Sequence, residues 1–430
     1  MAMMNALFLF NGTDAEGRTS CLRIAEGRIA EPHAKAGDLR IDLQGARLLP
    51  GLVNAHDHLQ LNALPRLKYR ETYENAAQWS ADIDPRLQLD PQLRAHRALP
   101  RFYRLLIGGL KNLLSGVTTV AHHDPGHAML HAPGFPVRVL DQMGWAHSLA
   151  LDGEESVQQS ERRTPDGQPW IVHAAEGTDA AAADEFDRLE ALGCIGPRTV
   201  LVHGLALSEA QQRRLVQAGA GLVWCPGSNL HLFGRTLEVK ALDRLPRLAL
   251  ASDSRISGEQ DLLAELALAR RLTGWDEPRL QALVSTQAAD LLGLQDRGSL
   301  APGHLADVLL LPPELPLSQA RRSDLRGVLV GGELRYADFD LATAFGDAAN
   351  LVPVRVDDKP KALLSSLAAT LRGISLQEPG LGVGEVAVLR AKRWAAPEPA
   401  RLAMCLSVDP TSIAVPSGDR PAYAPGEGLQ

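Results

Sequence analysis

The chain has 430 residues, of which 45% are hydrophobic and 22% are charged, and its formal net charge at pH 7 is -7. This composition is typical of globular proteins and excludes the disordered and fibrous classes. Because basic residues are not in excess, we expect no nucleic acid as a partner, and no apolar run is long enough to predict a membrane partner. The length predicts one large domain with a smaller one beside it.

Both flanks of the chain have the pattern of β structure. Residues 6–49 contain short alternating apolar runs broken by glycine and aspartate, and a similar pattern returns after Arg297. We therefore predict a small β-sandwich domain built from residues 1–48 and 297–340. Residues 341–430 form a C-terminal extension to which we assign no role. Within it, residues 361–371 have helical character, and residues 395–430, rich in proline, alanine and glycine, predict a loose arm.

Between these flanks, apolar runs alternate with amphipathic stretches, which is the pattern of repeated β/α units around a parallel sheet. We therefore predict an α/β fold, a (β/α)8-type TIM barrel, over residues 49–296. The expected strands are Leu49–Asn54, Val117–Ala121, Ala146–Leu151, Trp170–Ala174, Thr199–His203, Gly221–Cys225 and Leu248–Ser252. The expected helices are Gln92–Leu114, Pro136–Met143, Ala180–Leu192, Ser208–Gln217 and Asp261–Leu272. An eighth strand is not evident, because Asp152–Gln168 is short and polar, so we expect a distorted barrel or one irregular strand.

Four cysteines are scattered along the chain and form no CxxC pair: Cys21, Cys194, Cys225 and Cys405. This spacing predicts neither a disulfide framework nor a thiolate zinc site, and it favours a reducing compartment, so we expect a cytoplasmic protein. Cys225 lies in the apolar run Leu222-Val-Trp-Cys-Pro, which predicts a packed strand residue rather than a nucleophile.

Polar residues follow four of the predicted strands. His56 and His58 come at the end of the first strand, and residues two apart on an extended strand point the same way, so both imidazoles can meet one cation. A single His-x-His pair is weak support for a metal, but His173, His203 and Asp253 each follow another apolar strand. The carboxyl ends of barrel strands form the face that holds the active site in this fold. The sequence therefore predicts one metal-dependent site formed by four strands.

Four longer motifs accompany these residues: Leu48-Leu-Pro-Gly-Leu-Val-Asn-Ala-His56, Gly116-Val-Thr-Thr119, Trp224-Cys-Pro-Gly-Ser-Asn229 and Gly298-Ser-Leu-Ala-Pro-Gly-His-Leu-Ala-Asp307. In these motifs the chain resembles the amidohydrolase superfamily, in its deaminase and chlorohydrolase branch with a single metal, over residues 5–336. The resemblance implies that one divalent ion, zinc or else iron, is bound by four ligands: His56, His58, His173 and Asp253. It also implies that three catalytic residues act on water and substrate: Glu176, His203 and Asp253.

We predict that a small-molecule substrate contacts Asn229, His123 and Arg255. Asn229 lies at a strand exit in one of the family motifs, and Arg255 lies near another exit. Of His122 and His123, which follow the second strand, we expect one to line the pocket and the other to pack. The segment 60–90 departs from a simple β/α turn and is either a lid or a solvated loop.

The reaction we expect is hydrolytic deamination of a heterocyclic amine by metal-activated water. The same groups could hydrolyse a cyclic amide or displace a halide, because pocket contacts select the leaving group. A two-metal site bridged by a carboxylated lysine is not expected, because no lysine lies between Lys111 and Lys240. A non-catalytic metal-binding protein is the alternative from another class, but it would need neither Glu176 nor His203. The sequence is also compatible with a homo-oligomer.

Overall fold

The computed structural model describes residues 6–384, apart from the side chains of Gln92, Asp347 and Ala348. The predicted loose arm at residues 395–430 and Cys405 lie outside the described residues. Among the helices of residues 6–384, none is long and apolar enough to cross a membrane.

The strands fall into three groups along the chain. The first group is β1 (Leu7–Thr13), β2 (Thr19–Ala25), β3 (Arg28–Ala30), β4 (Leu39–Asp42) and β5 (Arg47–Pro50). The central group is β6 (Leu52–Asp57), β7 (Val117–His122), β8 (Arg138–Val139), β9 (Gly144–Ala146), β10 (Trp170–Ala174), β11 (Thr199–His203), β12 (Gly221–Trp224) and β13 (Leu248–Leu250). The last group is β14 (Val308–Leu311), β15 (Gly327–Val330), β16 (Glu333–Ala337), β17 (Leu351–Val356), β18 (Lys359–Leu364) and β19 (Leu381–Gly382).

Most of the helices lie between the central strands, and several begin at a polar cap, as where Ser208 and Gln211 form a capping box. The helices before β10 are α1 (Ala76–Leu89), α2 (Pro91–Ala98), α3 (Arg101–Leu114), α4 (Leu149–Asp152) and α5 (Glu154–Arg163). The later ones are α6 (Ala180–Ala191), α7 (Glu209–Gln217), α8 (Pro226–Phe233), α9 (Val239–Leu242), α10 (Leu262–Thr273), α11 (Glu277–Leu283), α12 (Thr286–Leu291), α13 (Phe339–Phe345) and α14 (Ser365–Arg372). Short 3-10 helices occupy Leu59–Leu61, Ala128–His131, Leu317–Gln319, Arg322–Asp324 and Gly346–Ala349.

The central strands give a parallel α/β arrangement of the TIM-barrel type. They pair in two groups, β6-β7-β8 and β9-β10-β11-β12-β13, and each pair is parallel. At one edge between the groups, Ser252 N donates to Asn54 Oδ1 at 3.1 Å, and at the other His123 Nε2 lies 2.8 Å from Ala146 O. Side chains therefore connect the two groups where strand pairing is not recorded among the described residues.

Two predictions for the central region were wrong. Pro136–Met143, expected as a helix, contains β8, and Ala146–Leu151, expected as a strand, contains only the last residue of β9 before α4 begins. The two-residue β8 supplies the eighth strand, and Asp152–Gln168 contains α5, the helix that follows β9. The predicted helix Gln92–Leu114 is divided into α2 and α3 at Pro100, because proline disfavours helical backbone at the residue before it.

Side chains inside the central strands form an apolar cluster that includes Ile171, Val200, Val223 and Cys225. Cys225 is fully buried in it, so the predicted packing is confirmed, but the residue directly follows β12 and caps α8 instead of lying in the strand. Alternation along β10 puts His173 on the same side as Ile171. The polar site therefore begins where this apolar interior ends.

Strands from both flanks form one sheet of eleven strands, in the order β19-β17-β18-β16-β15-β14-β5-β1-β2-β3, with β4 beside β1. The antiparallel pair of β5 and β14, with Leu49 opposite Leu309, joins the two flanks. The described part of the C-terminal extension adds β17 to β19, and residues 361–371 are divided between β18 and α14. The sandwich form of this domain and the boundaries at residues 48, 296 and 340 stay predictions.

Candidate metal centre and active site

Buried histidines converge at the carboxyl ends of the central strands. Four of them, His56, His58, His123 and His173, have ring nitrogens that all lie within 4.8 Å of one another, and they are at most 9% exposed. His56 lies in β6 and His173 in β10, and the other two directly follow β6 and β7. The sequence prediction that separate strands bring their histidines to one place is therefore matched by the structure.

The Nε2 atoms of three of these rings, His56, His58 and His173, point toward one another. His173 Nε2 lies 3.2 Å from His56 Nε2 and 3.3 Å from His58 Nε2. Asp253 Oδ1 completes the group at 3.6 Å from His56 Nε2 and 3.8 Å from His58 Nε2. Donors about 2.0–2.1 Å from a tetrahedral zinc ion would be about 3.3 Å apart, so these four atoms fit a metal of that size.

The opposite nitrogen of each of these three rings has its own partner. His173 Nδ1 lies 2.8 Å from the carbonyl oxygen of His147, and His58 Nδ1 lies 3.0 Å from Asp124 Oδ2. Because a carbonyl or carboxylate oxygen accepts, the proton of each ring is held at Nδ1. In the neutral form of each ring, the lone pair of Nε2 is then directed into the cluster, which is the usual way that proteins orient metal-binding histidines.

His123 is the hydrogen-bond partner of the third ring, His56. Its Nε2 lies 2.8 Å from the carbonyl oxygen of Ala146, so that nitrogen must carry the proton. Burial lowers the pKa of His123 well below its usual value, so the ring is neutral and its Nδ1 accepts. His56 Nδ1, 3.2 Å away, donates to it and keeps its own Nε2 unprotonated. Both nitrogens of His123 therefore have partners among the described residues.

The electrostatics of the cluster favour a positive charge. Burial alone would raise the pKa of Asp253, but the imidazoles of His56, His58 and His203 hold it well below its usual range. Burial alone would likewise lower the pKa of His58, but the carboxylates of Asp124 and Asp253 raise it to about 9. A bound divalent cation would satisfy the same two carboxylates.

Asp253 is held in a strained backbone conformation with φ of 49°. Non-glycine residues in this region cost about 1–3 kcal/mol and are found at functional sites. Ser257 Oγ donates to Asp253 Oδ2 at 2.9 Å, and Lys111 Nζ donates to the Asp253 carbonyl oxygen at 3.0 Å. These contacts turn the other carboxylate oxygen, Oδ1, toward the histidines.

Lys111 is fully buried beneath the cluster and connects the strands that carry it. Its Nζ lies 3.2 Å from Oδ2 of Asp57, a residue that lies between His56 and His58 in the sequence. It also donates to Asn62 Oδ1 at 2.8 Å and to Ser252 Oγ at 2.9 Å. The ammonium group therefore fixes β6 against the end of β13.

Glu176 and His203 form a second pair of groups beside the histidine cluster, with Glu176 Oε1 at 3.4 Å from His203 Nε2. Burial, with repulsion from Asp253 and Glu185, raises the pKa of Glu176 well above its usual value and so favours the protonated carboxyl. Burial lowers the pKa of His203 to about 4, and its Nδ1 donates to Asn229 Oδ1 at 2.9 Å. The Glu176 carboxyl therefore faces the Nε2 atom of a neutral imidazole.

The backbone that presents this pair is also strained. Ala175, before Glu176, has φ of 53°, and His203 has φ of 73°. Glu185 Oε2 accepts from Ala175 N at 2.8 Å and so fixes the turn. Gly204 follows with φ of 61°, and a Cβ there would lie 2.4 Å from Leu222 Cδ1. Only glycine fits that position without displacing its neighbour.

A cavity of about 340 Å³ opens over both groups, and five predicted site residues line it: His58, His173, Glu176, His203 and Asp253. The helix α1, from the segment 60–90, contributes Trp79, Ile83 and Leu87 to its wall. The segment is thus a partly helical cover, although its motion as a lid stays a prediction.

The three residues predicted to bind substrate are not among those lining this cavity. His123 lies behind His56, Asn229 contacts His203, and Arg255 forms an ion pair with Glu378 at 2.8 Å. Their predicted substrate contacts receive no support from the described structure. His122, expected to pack, is buried, and its Nδ1 accepts from a backbone N–H.

Sequence reasoning missed four polar residues that shape the site: Lys111, Asp124, His147 and Glu185. Asp124 directly follows His123, and His147 directly follows β9, so both lie at strand ends like the predicted ligands. Their position at strand ends is the sequence signal that could have predicted them as site residues. Lys111 and Glu185 are on helices, where a charged residue gives no sign of facing the interior.

Comparisons with known proteins agree with this geometry. The model of the amidohydrolase family matches residues 146–336. A 5-methylthioadenosine/S-adenosylhomocysteine deaminase of Pyrococcus abyssi is 31% identical over 40% of this chain and 47% of its own length, so that match spans about half of the relative. An 8-oxoguanine deaminase of Pseudomonas aeruginosa is 26% identical over 77% of this chain and 92% of its own length.

Solved structures show the same fold. An adenosine deaminase from Xanthomonas campestris with bound zinc has a TM-score of 0.62 at 19% identity, over 80% of this chain and 96% of that one. Atrazine chlorohydrolase TrzN from Arthrobacter aurescens, complexed with zinc, has a TM-score of 0.62 at 18% identity, over 76% of this chain and 94% of that one. Over residues 146–336 the chain therefore matches the amidohydrolase family, its sequence is similar to those of deaminases, and its described residues include four histidines that could hold a metal ion.

Proposed function

We propose that this protein binds one zinc ion through His56, His58, His173 and Asp253 and deaminates a heterocyclic amine by hydrolysis. The observation that carries the proposal is the convergence of three Nε2 atoms and one carboxylate oxygen, with separations of 3.2 to 3.8 Å. Three neutral imidazoles and one carboxylate are a ligand set that zinc accepts, and iron is the alternative. We also infer a cytoplasmic location, because the cysteines are widely spaced along the sequence and form no CxxC pair.

A single ion is favoured over two by the surroundings of the cluster. Lys111 is the lysine closest in sequence before the ligand-bearing strand β10, and its Nζ is occupied by four protein partners. It is therefore not available as a carboxylated bridge. His123, the remaining histidine of the cluster, has both nitrogens occupied by His56 and the carbonyl of Ala146.

A divalent ion at this place lowers the pKa of bound water toward about 7 and so supplies hydroxide near neutral pH. Asp253 is placed to accept the proton that the attacking water releases. His203, whose Nε2 faces the cavity with a lone pair, is placed to orient that water by accepting its second hydrogen.

Glu176 is proposed as the proton donor to the substrate. Its carboxyl lines the cavity, and its raised pKa keeps the proton in place until a ring nitrogen of the substrate needs it. When water adds to the carbon that bears the amino group, a C–O bond forms and Glu176 protonates the neighbouring ring nitrogen. Asp253 then gives its proton to the departing nitrogen, the C–N bond breaks, and ammonia is released. As the C=O bond forms, the hydroxyl proton of the intermediate passes to Glu176, which regains its protonated form.

The relatives named as deaminases guide the choice of substrate. We propose an amino-substituted purine, pterin, pyrimidine or triazine, because the cavity of about 340 Å³ has room for such a ring. The apolar side chains of Trp79, Ile83 and Leu87 offer a wall against which a planar ring can pack.

The test is release of ammonia across a panel of such amines, with the metal content of each preparation measured. We expect one compound or more to be turned over by zinc-loaded protein. In Glu176→Gln, metal content should be unchanged while kcat falls by about 10²- to 10⁴-fold, because a proton donor is lost without a ligand. His173→Ala is the matched control and should lose the metal itself. Protein that holds no metal and releases no ammonia from any compound would contradict the proposal.

A further inference from the structure

A buried ion pair links the C-terminal extension to the loop that carries Asp253. Glu378, after α14, is 1% exposed. Its Oε1 lies 2.8 Å from Arg255 Nη2 and its Oε2 lies 3.1 Å from Arg255 Nη1, so the two side chains meet in a two-pronged contact. Such pairs fix orientation as well as distance.

A second arginine holds Glu378 from the other side. Arg322 Nη1 donates to Glu378 Oε1 at 2.8 Å, and Arg322 Nε donates to Asp357 Oδ2 at 2.8 Å. The backbone is packed closely around this network, because a Cβ at Gly380 would lie 2.4 Å from Asp357 Oδ1. Two guanidinium groups and two carboxylates therefore form a compact, charge-balanced cluster.

Arg255 connects this cluster to the loop of Asp253 and, through Asn62, to the segment of His56 and His58. It lies two residues after Asp253, and its backbone N–H donates to Asn62 Oδ1 at 2.9 Å. Its Nη1 donates to the Asn62 carbonyl oxygen at 2.8 Å. Asn62 Nδ2 in turn donates at 2.7 Å to Oδ1 of Asp57, the residue between His56 and His58 in the sequence.

We propose that Glu378 is a positioning residue for the metal centre, which assigns a role to the C-terminal extension. By fixing Arg255, it holds the loop of Asp253 against the segment that follows His58. The inference rests on the proposed metal site, and it concerns ligand geometry rather than catalysis. Groups that orient metal ligands affect affinity strongly even though they do not touch the ion.

The test compares the zinc affinity of metal-free protein variants by competition with a chromophoric chelator. In Glu378→Gln, Arg255 loses its charged partner, and we expect zinc affinity to fall by about 10- to 100-fold. The matched control is Asp357→Asn, which removes a carboxylate from the same cluster and touches Arg322 but not Arg255. We expect the zinc affinity of this control to stay within about threefold of wild type, even if its Tm without metal falls as far as that of Glu378→Gln.

A double variant separates positioning from general stability. Arg255→Met with Glu378→Met leaves no unpaired charge, because Arg322 keeps Asp357, and such apolar replacements of buried pairs are often well tolerated. We expect this protein to regain thermal stability relative to Glu378→Gln while its zinc affinity stays at least tenfold below wild type.

The outcomes distinguish the two proposals. If wild type binds zinc no better than His173→Ala, the proposed metal site is wrong. If wild type binds zinc tightly but Glu378→Gln and the double variant bind it equally well, the metal site stands and the positioning role of Glu378 is overturned. Equal losses in Glu378→Gln and Asp357→Asn would also overturn it, because the effect would then follow stability alone.

Discussion

The buried lysine beneath the metal centre offers a quantitative test of how the site is held together. Replacing Lys111 with methionine keeps the length of the side chain but removes its charge and its four hydrogen bonds. Asp57, which is fully buried, then loses its cationic partner at 3.2 Å. Removing one member of a buried ion pair costs about 3–5 kcal/mol, because the remaining charge is left uncompensated.

The lower end of that range applies to Lys111→Met. Asp57 keeps three amide donors, since Asn62 Nδ2 and Asn112 Nδ2 each lie 2.7 Å from its carboxylate oxygens and Asn54 Nδ2 lies at 3.2 Å. We therefore expect a loss of about 3 kcal/mol in the free energy of unfolding. With an unfolding entropy of about 2.1 cal/mol/K per residue, the corresponding fall in Tm is about 3 °C for a chain of this length.

The assay is thermal unfolding of the metal-free protein by differential scanning calorimetry, with Lys240→Met as the control. Lys240 is exposed, so its replacement should change the stability by no more than about 0.5 kcal/mol. Adding Asp57→Asn to Lys111→Met should recover part of the loss, because the unpaired charge is removed. If Lys111→Met is as stable as Lys240→Met, the reasoning about the buried pair is refuted.

Three further results are expected. Asp124→Asn weakens the acceptor that holds the Nδ1 proton of His58, so zinc affinity should fall by about 10-fold or more in chelator competition. Glu185→Gln removes a negative charge that raises the pKa of Glu176, so the alkaline limb of a kcat/KM profile should move to lower pH. Acidic side chains at the cavity, including Asp84, repel anions, so a phosphorylated derivative of a substrate should be turned over more slowly than the parent compound, and high salt should reduce that difference.

Each of these has a matched comparison. Asp141→Asn, at an exposed carboxylate, should leave zinc affinity unchanged, and equal losses in both variants would count against the Asp124 contact. Asp184→Asn, beside Glu185 but exposed, should leave the pH profile in place. The alkaline limb moves to lower pH because Glu176 acts in its protonated form and its pKa falls when the negative charge is removed. An alkaline limb that stays in place in Glu185→Gln would contradict the electrostatic coupling of Glu185 to Glu176. Faster turnover of the phosphorylated compound would contradict the repulsion.

The sequence predicted the parts of the site that depend on local pattern. His56, His58 and His173 were found because each ends or follows an apolar strand, and such strands are recognisable without knowing their neighbours. The same rule applies to Asp124, which follows β7. The interplay of Arg255 with Glu378 could not be predicted, because the two residues are 123 positions apart and their pairing depends on how the extension packs.

The errors in the fold have a similar cause. The two residues of β8 contain no apolar run, and the strand exists because β7 offers a pairing edge to Arg138 and Val139. The predicted strand at Ala146 was set too far along the chain, because its apolar residues Leu149 and Leu151 belong to a helical turn. Short elements of this kind are decided by tertiary contacts more than by their own residues.

The central claim is that one zinc ion is held by His56, His58, His173 and Asp253. It is tested most directly by X-ray absorption spectroscopy at the zinc edge, together with the metal content of the same sample. We predict one zinc per chain, surrounded by nitrogen and oxygen donors at about 2.0–2.2 Å. Two zinc ions per chain, a sulfur donor at about 2.3 Å, or an unchanged spectrum in His173→Ala would contradict it.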